Sequence, residues 1–193
     1  MSFLLQSARQ LAAQAQAQTV QPGDAVIDCT MGNGHDTAYL AGLVGENGRV
    51  YAFDIQPEAV ASTRGRLESE GLLPRCRLYC QGHETVAETV PEQIRLAVMN
   101  LGWLPGGDKS ITTHWETTRK AIEGCLSLLL PLGVMTVCAY PGHAEGEREL
   151  RELVNFFASL RPQEYNVLQQ RFVNPGPGAP VCFVIQKQEA RGK

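Results

Sequence analysis

The sequence predicts an α/β fold: a Rossmann-like, mostly parallel sheet of seven strands, with helices on both faces and one strand running antiparallel in a terminal β-hairpin. Three observations carry that expectation. Strand-like apolar runs alternate with helical stretches of ten residues or more, the order that builds a parallel sheet. A glycine-rich turn, Gly32-Asn-Gly34, joins the first strand-like run to the helix after it. The last two runs are separated only by Asn174-Pro-Gly-Pro-Gly-Ala-Pro180, which leaves no room for a crossover helix, so they pair as a hairpin.

The elements follow in order. Phe3, Leu4, Ala8, Leu11, Ala12 and Ala15 recur at helical spacing, so residues 3–18 read as an amphipathic helix with a Gln-rich outer face. Pro22-Gly23-Asp24 is a turn into a buried strand, Ala25-Val-Ile-Asp28. A helix near 35–43 follows the glycine turn, and Arg49–Asp54 is the second strand. Pro57 suits the first turn of a helix that Gly71 and Pro74 stop near Glu70. Arg75–Cys80 is a third strand, 84–89 a short helix and Arg95–Asn100 a fourth strand. Trp115, Thr118, Ile122, Cys125 and Leu129 share one face of a long helix over about 112–130, which would hold His114 as a structural residue. Gly133–Ala139 is the fifth strand, 145–159 a helix, and 164–172 and 181–187 are the closing strands. Five α/β units followed by a hairpin is the element order of class I methyltransferases, whereas a dinucleotide-binding domain continues with a sixth β/α unit.

Composition narrows the function classes. The 193 residues predict one domain, 1–193, with residues 1–20 as its N-terminal helix. A chain of this length buries roughly 70% of its unfolded surface and needs no disulfide or metal staple. Net charge is −3, from 17 basic and 20 acidic residues, which excludes a generically basic nucleic-acid coat but not a local basic patch. No apolar run approaches the ~20 residues of a spanning helix. Met1–Gln10 lacks a secretory signal's basic and apolar regions, so a soluble cytoplasmic protein is expected, with no membrane contact. Cys29, Cys80, Cys138 and Cys182 lie in apolar strand-like runs and read as buried free thiols. Cys76 and Cys80 fall on the same strand face, and no paired CxxC units exist, so no metal is expected.

Chemistry concentrates at strand ends. Gly32 and Gly34 permit backbone angles and ligand approach that a Cβ would forbid. Asp54 ends the second strand, where an acid grips a ribose diol in a nicotinamide or adenosylmethionine site. The third position of the dinucleotide fingerprint is Thr37 instead of Gly. Asp28 would repel a pyrophosphate yet suit the ammonium of a methionine tail. The plain alternative is a helix start capped by Asn33 or Asp36. Asn100 leaves the fourth strand with a carbonyl able to accept an amine N–H, and Trp103 offers a flat face for a base or cation. Gln81-Gly-His83-Glu84 and Tyr140-Pro-Gly-His143 follow the third and fifth strands, and both histidines would face the same crevice.

The runs Asp28-x-Thr30-x-Gly32-Asn-Gly34-His-Asp36-Thr37, Asn100-Leu-Gly-Trp-Leu-Pro-Gly-Gly-Asp-Lys109 and Tyr140-Pro-Gly-His143 resemble a family of small bacterial methyltransferases. The family was long labelled rRNA methylases and is now understood as tRNA 5-aminomethyl-2-thiouridine methyltransferases. The resemblance spans about residues 20–187; this chain has Cys29 where Ala is common and Trp103 where Tyr is common. It implies S-adenosyl-L-methionine as methyl donor, the wobble uridine in a tRNA anticodon stem-loop as acceptor, and a homodimer. The cofactor set that follows is Asp28, Thr30, Gly32, Asn33, Gly34, Asp36, Thr37, Asp54, Gln56, His83, Glu84 and Asn100. The acceptor would meet Trp103, Pro105, Gly106, Lys109 and Tyr140; Asn100 would orient the amine, and Asp108 or His143 would take its proton. The alternatives are methylation of rRNA or a small molecule, an NAD(P)-binding oxidoreductase, and a non-catalytic RNA- or protein-binding scaffold.

Overall fold

A computed structural model describes residues 7–176 and 178–189 of the chain. The strands are β1 (Ala25–Asp28), β2 (Arg49–Asp54), β3 (Cys76–Cys80), β4 (Ile94–Asn100), β5 (Leu129–Ala139), β6 (Tyr165–Arg171) and β7 (Val181–Lys187). They form one sheet in the order β3-β2-β1-β4-β5-β7-β6. Only β7 runs antiparallel to its neighbours, β5 and β6, as the short hairpin connection requires. The helices are α1 (Ala8–Thr19), α2 (His35–Val44), α3 (Pro57–Ser69), α4 (Val86–Thr89), α5 (Trp115–Leu128) and α6 (Ala144–Ser159). The first part of the helix expected over 3–18 lies outside the described residues.

Both faces of the sheet are covered, which is why the inner strands are apolar on both sides. Ala121, Ile122 and Cys125 of α5 and Leu153 and Phe157 of α6 pack on one face around Met99, Met135 and Phe183. Leu40, Ala41 and Val44 of α2 and Leu67 of α3 pack on the other around Val26, Val50 and Leu96. Ala8 and Ala12 of α1 extend this second layer over Cys138 and Cys182. No described helix is long and apolar enough to cross a membrane.

Four local expectations need correction. Helix α5 starts at Trp115, so His114 is its N-cap and lies outside the helix. It also stops at Leu128, because β5 begins at Leu129 and pairs with Ile94 before an irregularity re-forms the register at Leu96 and Val134. Pro131 fits neither a helix interior nor a regular ladder, and the irregular stretch absorbs it. Cys80 is exposed, not buried: β3 is the edge strand, and the thiol opens into a groove beside Pro57, Val60 and Arg64. Gln16 belongs inward, 3% exposed, where its Nε2 donates to Thr136 Oγ1 at 3.1 Å.

Gly34 owes its identity to packing between helices. Its φ is +79°, and a Cβ there would stand 2.9 Å from both Cα and Oγ1 of Thr63 on α3. Gly34→Ala is expected to lower stability by about 2–4 kcal/mol, the sum of a left-handed backbone and an overpacked contact. A urea midpoint that falls at unchanged m-value checks this.

Candidate active site

The crevice lies along the carboxyl ends of β1, β2, β4 and β5, around the point where the strand order reverses between β1 and β4. Each edge contributes one loop. After β1 the chain turns through Thr30–Gly34 into α2, whose N-cap is Gly34 with no side-chain bond to it. Neither Asn33 nor Asp36 caps that helix: Asn33 bonds the loop after β4, and Asp36 bonds Arg9 and Asn100.

Asp54 ties β2 to this turn. Its Oδ2 accepts the Gly32 N–H and its Oδ1 the Gln56 N–H, each at 3.0 Å. Two backbone donors fix the carboxylate's orientation and leave lone pairs for a diol. Gly32 has φ +50°, and its carbonyl accepts Thr63 Oγ1 at 2.9 Å. Asn33 Nδ2 donates to Pro105 O at 3.3 Å, and Arg66 Nε donates to Asn33 O at 2.9 Å. The turn is therefore held from α3 on one side and from the loop after β4 on the other.

Asp28 lies beneath the turn with no exposed surface. Its Oδ2 accepts Thr37 Oγ1 at 2.7 Å and its Oδ1 the Thr30 N–H at 3.1 Å. Burial, then the charge of Asp36, pushes its pKa from 3.8 up to about 7. The folded state thus holds this proton more tightly than the unfolded chain does. The stability it supplies is complete below 3.8 and lost as pH rises through about 7. Relative to wild type, Asp28→Asn is expected to gain about 2–3 kcal/mol between pH 5 and pH 8. Paired urea denaturations at the two pH values measure it, and a pH-independent difference would refute it.

Asn100 ends β4 facing α2. Thr30 Oγ1 accepts its backbone N–H at 2.8 Å, and its Nδ2 donates to Asp36 Oδ2 at 2.7 Å. A carboxylate only accepts, so it selects the NH2 end of the amide and leaves Oδ1 as the open acceptor. The other oxygen of Asp36 pairs with Arg9 from α1. Sequence reasoning had no signal for Arg9: it stands alone on a helix, and only the packing of α1 brings it to this edge.

The loop from Leu101 to His114 carries Trp103, whose ring packs against His143 at 4.5 Å, tilted by 49°, and lies 5.5 Å from Lys109 Nζ. Gly102 and Gly106 both take positive φ in this loop. Its base is anchored by Glu149 of α6, 2% exposed, which accepts Thr113 Oγ1 at 2.8 Å and Thr118 Oγ1 at 2.6 Å. Burial raises the Glu149 pKa. Glu149 went unnoticed in the sequence because it reads as one more acid on a charged helix. Tyr140, half-buried at the end of β5, has its hydroxyl pushed up to about 12 by burial.

The expected proton acceptors sit differently. His143 caps α6, its Nδ1 accepting the Gly146 N–H at 3.2 Å. The neutral ring therefore carries its proton on Nε2, which is buried and unpartnered. Asp108 is open to solvent and accepts the Ser110 N–H at 2.8 Å, which holds its pKa below the usual carboxylate value. His83 is buried beneath the crevice: its ring bonds the Cys29 backbone, burial keeps it neutral, and its Nε2 has no partner. Glu84 curls back over Gly82. Among the described residues, no three His, Cys, Asp or Glu side chains gather as a metal-holding group.

A family model described as "Putative rRNA methylase" matches residues 50–186. The chain belongs to this family. Its sheet and helices overlay family structures at high similarity: a "putative rRNA-methylase" of Clostridium thermocellum has TM-score 0.94 and 35% identity, over 96% of this chain and 100% of that one. A "putative methyltransferase" of Streptococcus mutans in complex with SAH has TM-score 0.87 and 32% identity, over 95% of this chain and 99% of that one. The chain is also 36% identical over 182 residues to the chloroplastic tRNA (mnm(5)s(2)U34)-methyltransferase of Arabidopsis thaliana, covering 89% of itself and 66% of that relative's length.

Proposed function

We propose that this family member is an S-adenosyl-L-methionine-dependent N-methyltransferase. Its acceptor is the 5-aminomethyl group of the wobble 2-thiouridine in tRNA, and its product is 5-methylaminomethyl-2-thiouridine. The observation that carries the reading is the Asn100 amide, fixed by Asp36 with its carbonyl oxygen open at the crevice edge. The plant tRNA methyltransferase relative and the SAH complex of the streptococcal neighbour support the acceptor and the cofactor.

The residues fit the methyl donor. Asp54, held by the Gly32 and Gln56 amides, is set to accept both ribose hydroxyls. Gly32 adds no side chain of its own to the floor of the crevice, where a Cβ would stand 3.4 Å from Leu104 Cδ1. Asp28 contributes from below by fixing Thr30 and Thr37, while Asp36 is the acid nearer the acceptor side. His83 holds the Cys29 backbone, and with Glu84 borders the adenine end.

The bound cofactor supplies an electrophilic methyl on a sulfonium, so the protein's task is alignment for in-line displacement. Asn100 Oδ1 accepts one amine N–H and turns the nitrogen lone pair toward the methyl. Trp103, Pro105, Gly106, Lys109 and Tyr140 border the space for the nucleotide. Trp103 is the stacking surface and Lys109 the cation nearest the phosphates. With His143 committed to its cap and Asp108 in open solvent, the amine enters as the free base and its proton leaves to water. The tRNA is engaged through its anticodon stem-loop, and the family resemblance implies a homodimer.

The test uses purified protein, adenosylmethionine, and tRNA bearing 5-aminomethyl-2-thiouridine, with nucleoside mass spectrometry as the readout. Gain of one methyl on that nucleoside is the expected result. Binding of adenosylmethionine without any methylation of this tRNA, alongside methylation of rRNA, would move the acceptor to rRNA.

A further inference from the structure

We propose that Arg9 is a positioning residue for the methyl acceptor: through Asp36 it fixes which end of the Asn100 amide faces the crevice. This rests on the reading of Asn100 as the group that orients the amine.

Three side chains from three separate parts of the chain form a line. Arg9 Nε donates to Asp36 Oδ1 at 3.2 Å, and a terminal guanidinium nitrogen pairs with the same oxygen. Asp36 Oδ2 accepts Asn100 Nδ2 at 2.7 Å. The two oxygens of one carboxylate are thus divided between a cation and an amide. That division matters because the two ends of an asparagine amide are nearly the same size but opposite in hydrogen-bonding sense. A half-turn of the amide would set Oδ1 against the carboxylate and present Nδ2 to the incoming amine, whose lone pair would then accept that N–H instead of facing the methyl. The carboxylate prevents that half-turn only while it is held in one orientation.

Arg9 supplies that hold: its two contacts to one oxygen aim the other oxygen at Asn100. Arg9 is itself placed by the body of the protein. Elsewhere on α1, Ala13 O accepts the Tyr39 hydroxyl at 3.4 Å and Gln16 Nε2 donates to Thr136 Oγ1 at 3.1 Å. Ala8 and Ala12 pack against Cys138 and Cys182. The Arg9 side chain is 51% exposed, so the ion pair is not a folding requirement, and its removal leaves the core of α1 untouched.

The test is a double-mutant cycle on single-turnover methyl transfer at saturating adenosylmethionine and substrate tRNA. Arg9→Ala is expected to slow the step about tenfold, and Arg9→Lys to recover part of the loss. In the Asn100→Ala background, Arg9→Ala is expected to cost nothing more. Independent, additive losses would overturn the proposal, since Arg9 would then act elsewhere, for example on an RNA phosphate. A reaction-free readout accompanies it: the Asn100 side-chain NH2 signals in a 15N spectrum of the protein alone, identified by their loss in Asn100→Ala. They are expected to shift and broaden in Arg9→Ala, and unchanged signals would also overturn the proposal. A normal rate in Asn100→Ala would defeat the reading of Asn100 itself. An impaired Asn100→Ala with an unimpaired Arg9→Ala would defeat only the role of Arg9.

Discussion

Asn100→Ala is expected to lower the single-turnover rate by about 100-fold while leaving adenosylmethionine affinity within about twofold, because the lost contact belongs to the acceptor in the transition state. Truncation also frees Asp36 Oδ2, but that carboxylate keeps Arg9 and some solvent contact, so no buried charge is stranded. Asn100→Asp is the sharper variant. It keeps an acceptor oxygen but sets a second carboxylate at the position where Nδ2 lies 2.7 Å from Asp36. Two acids in contact share a proton, and the added negative charge favours the ammonium form of the acceptor. A methyl acceptor must be the free amine, so the acid limb of the pH–rate profile is expected to move to higher pH. A superimposable profile would show that Asn100 does not face the amine.

Asp54→Ala is expected to weaken adenosylmethionine by about 2–3 kcal/mol, roughly 30- to 150-fold, the scale of hydrogen bonds to a charged group. The variant also releases the Gly32 and Gln56 amides, which hold the turn in shape. Asp54→Asn separates the two effects, since it keeps one acceptor oxygen and much of the loop geometry while removing the charge. Calorimetry with adenosylmethionine on both variants, with thermal unfolding as control, measures the effect. Unchanged affinity in a folded Asp54→Ala variant would remove the carboxylate from the cofactor site.

Much of this architecture is written locally. Apolar runs of four to seven residues, bounded by Gly and Pro, can only be strands in this setting, and the Asn174–Pro180 connection cannot hold a crossover helix. The single reversed strand follows from those two facts, as does the placing of Asp28, Asp54 and Asn100 at strand ends, whereas the order of the strands across the sheet comes from the tertiary structure. The resemblance in the three loop motifs carried the family assignment, which the match over residues 50–186 establishes. Where local pattern misled, a neighbour in space was the cause. Cys80 looked like core but ends an edge strand, and Leu129 looked like the last turn of a helix but is captured by Ile94 of β4.

The sequence by itself determined the sheet, the glycine turn and the acids and amide that end its strands, because each is a property of a few consecutive residues and the backbone angles they allow. Tertiary structure alone decided what those side chains do. Asp28 became a sealed acid beneath the turn, and Asp36, which reads as a helix-start residue, became the link between Arg9 and Asn100. Glu149 became the buried anchor of the loop that carries Trp103. Arg9 and Asp36 are 27 residues apart and Asp36 and Asn100 are 64 apart, so no local pattern relates them. They meet because α1 and α2 lie on the same face of the sheet and β4 ends between them.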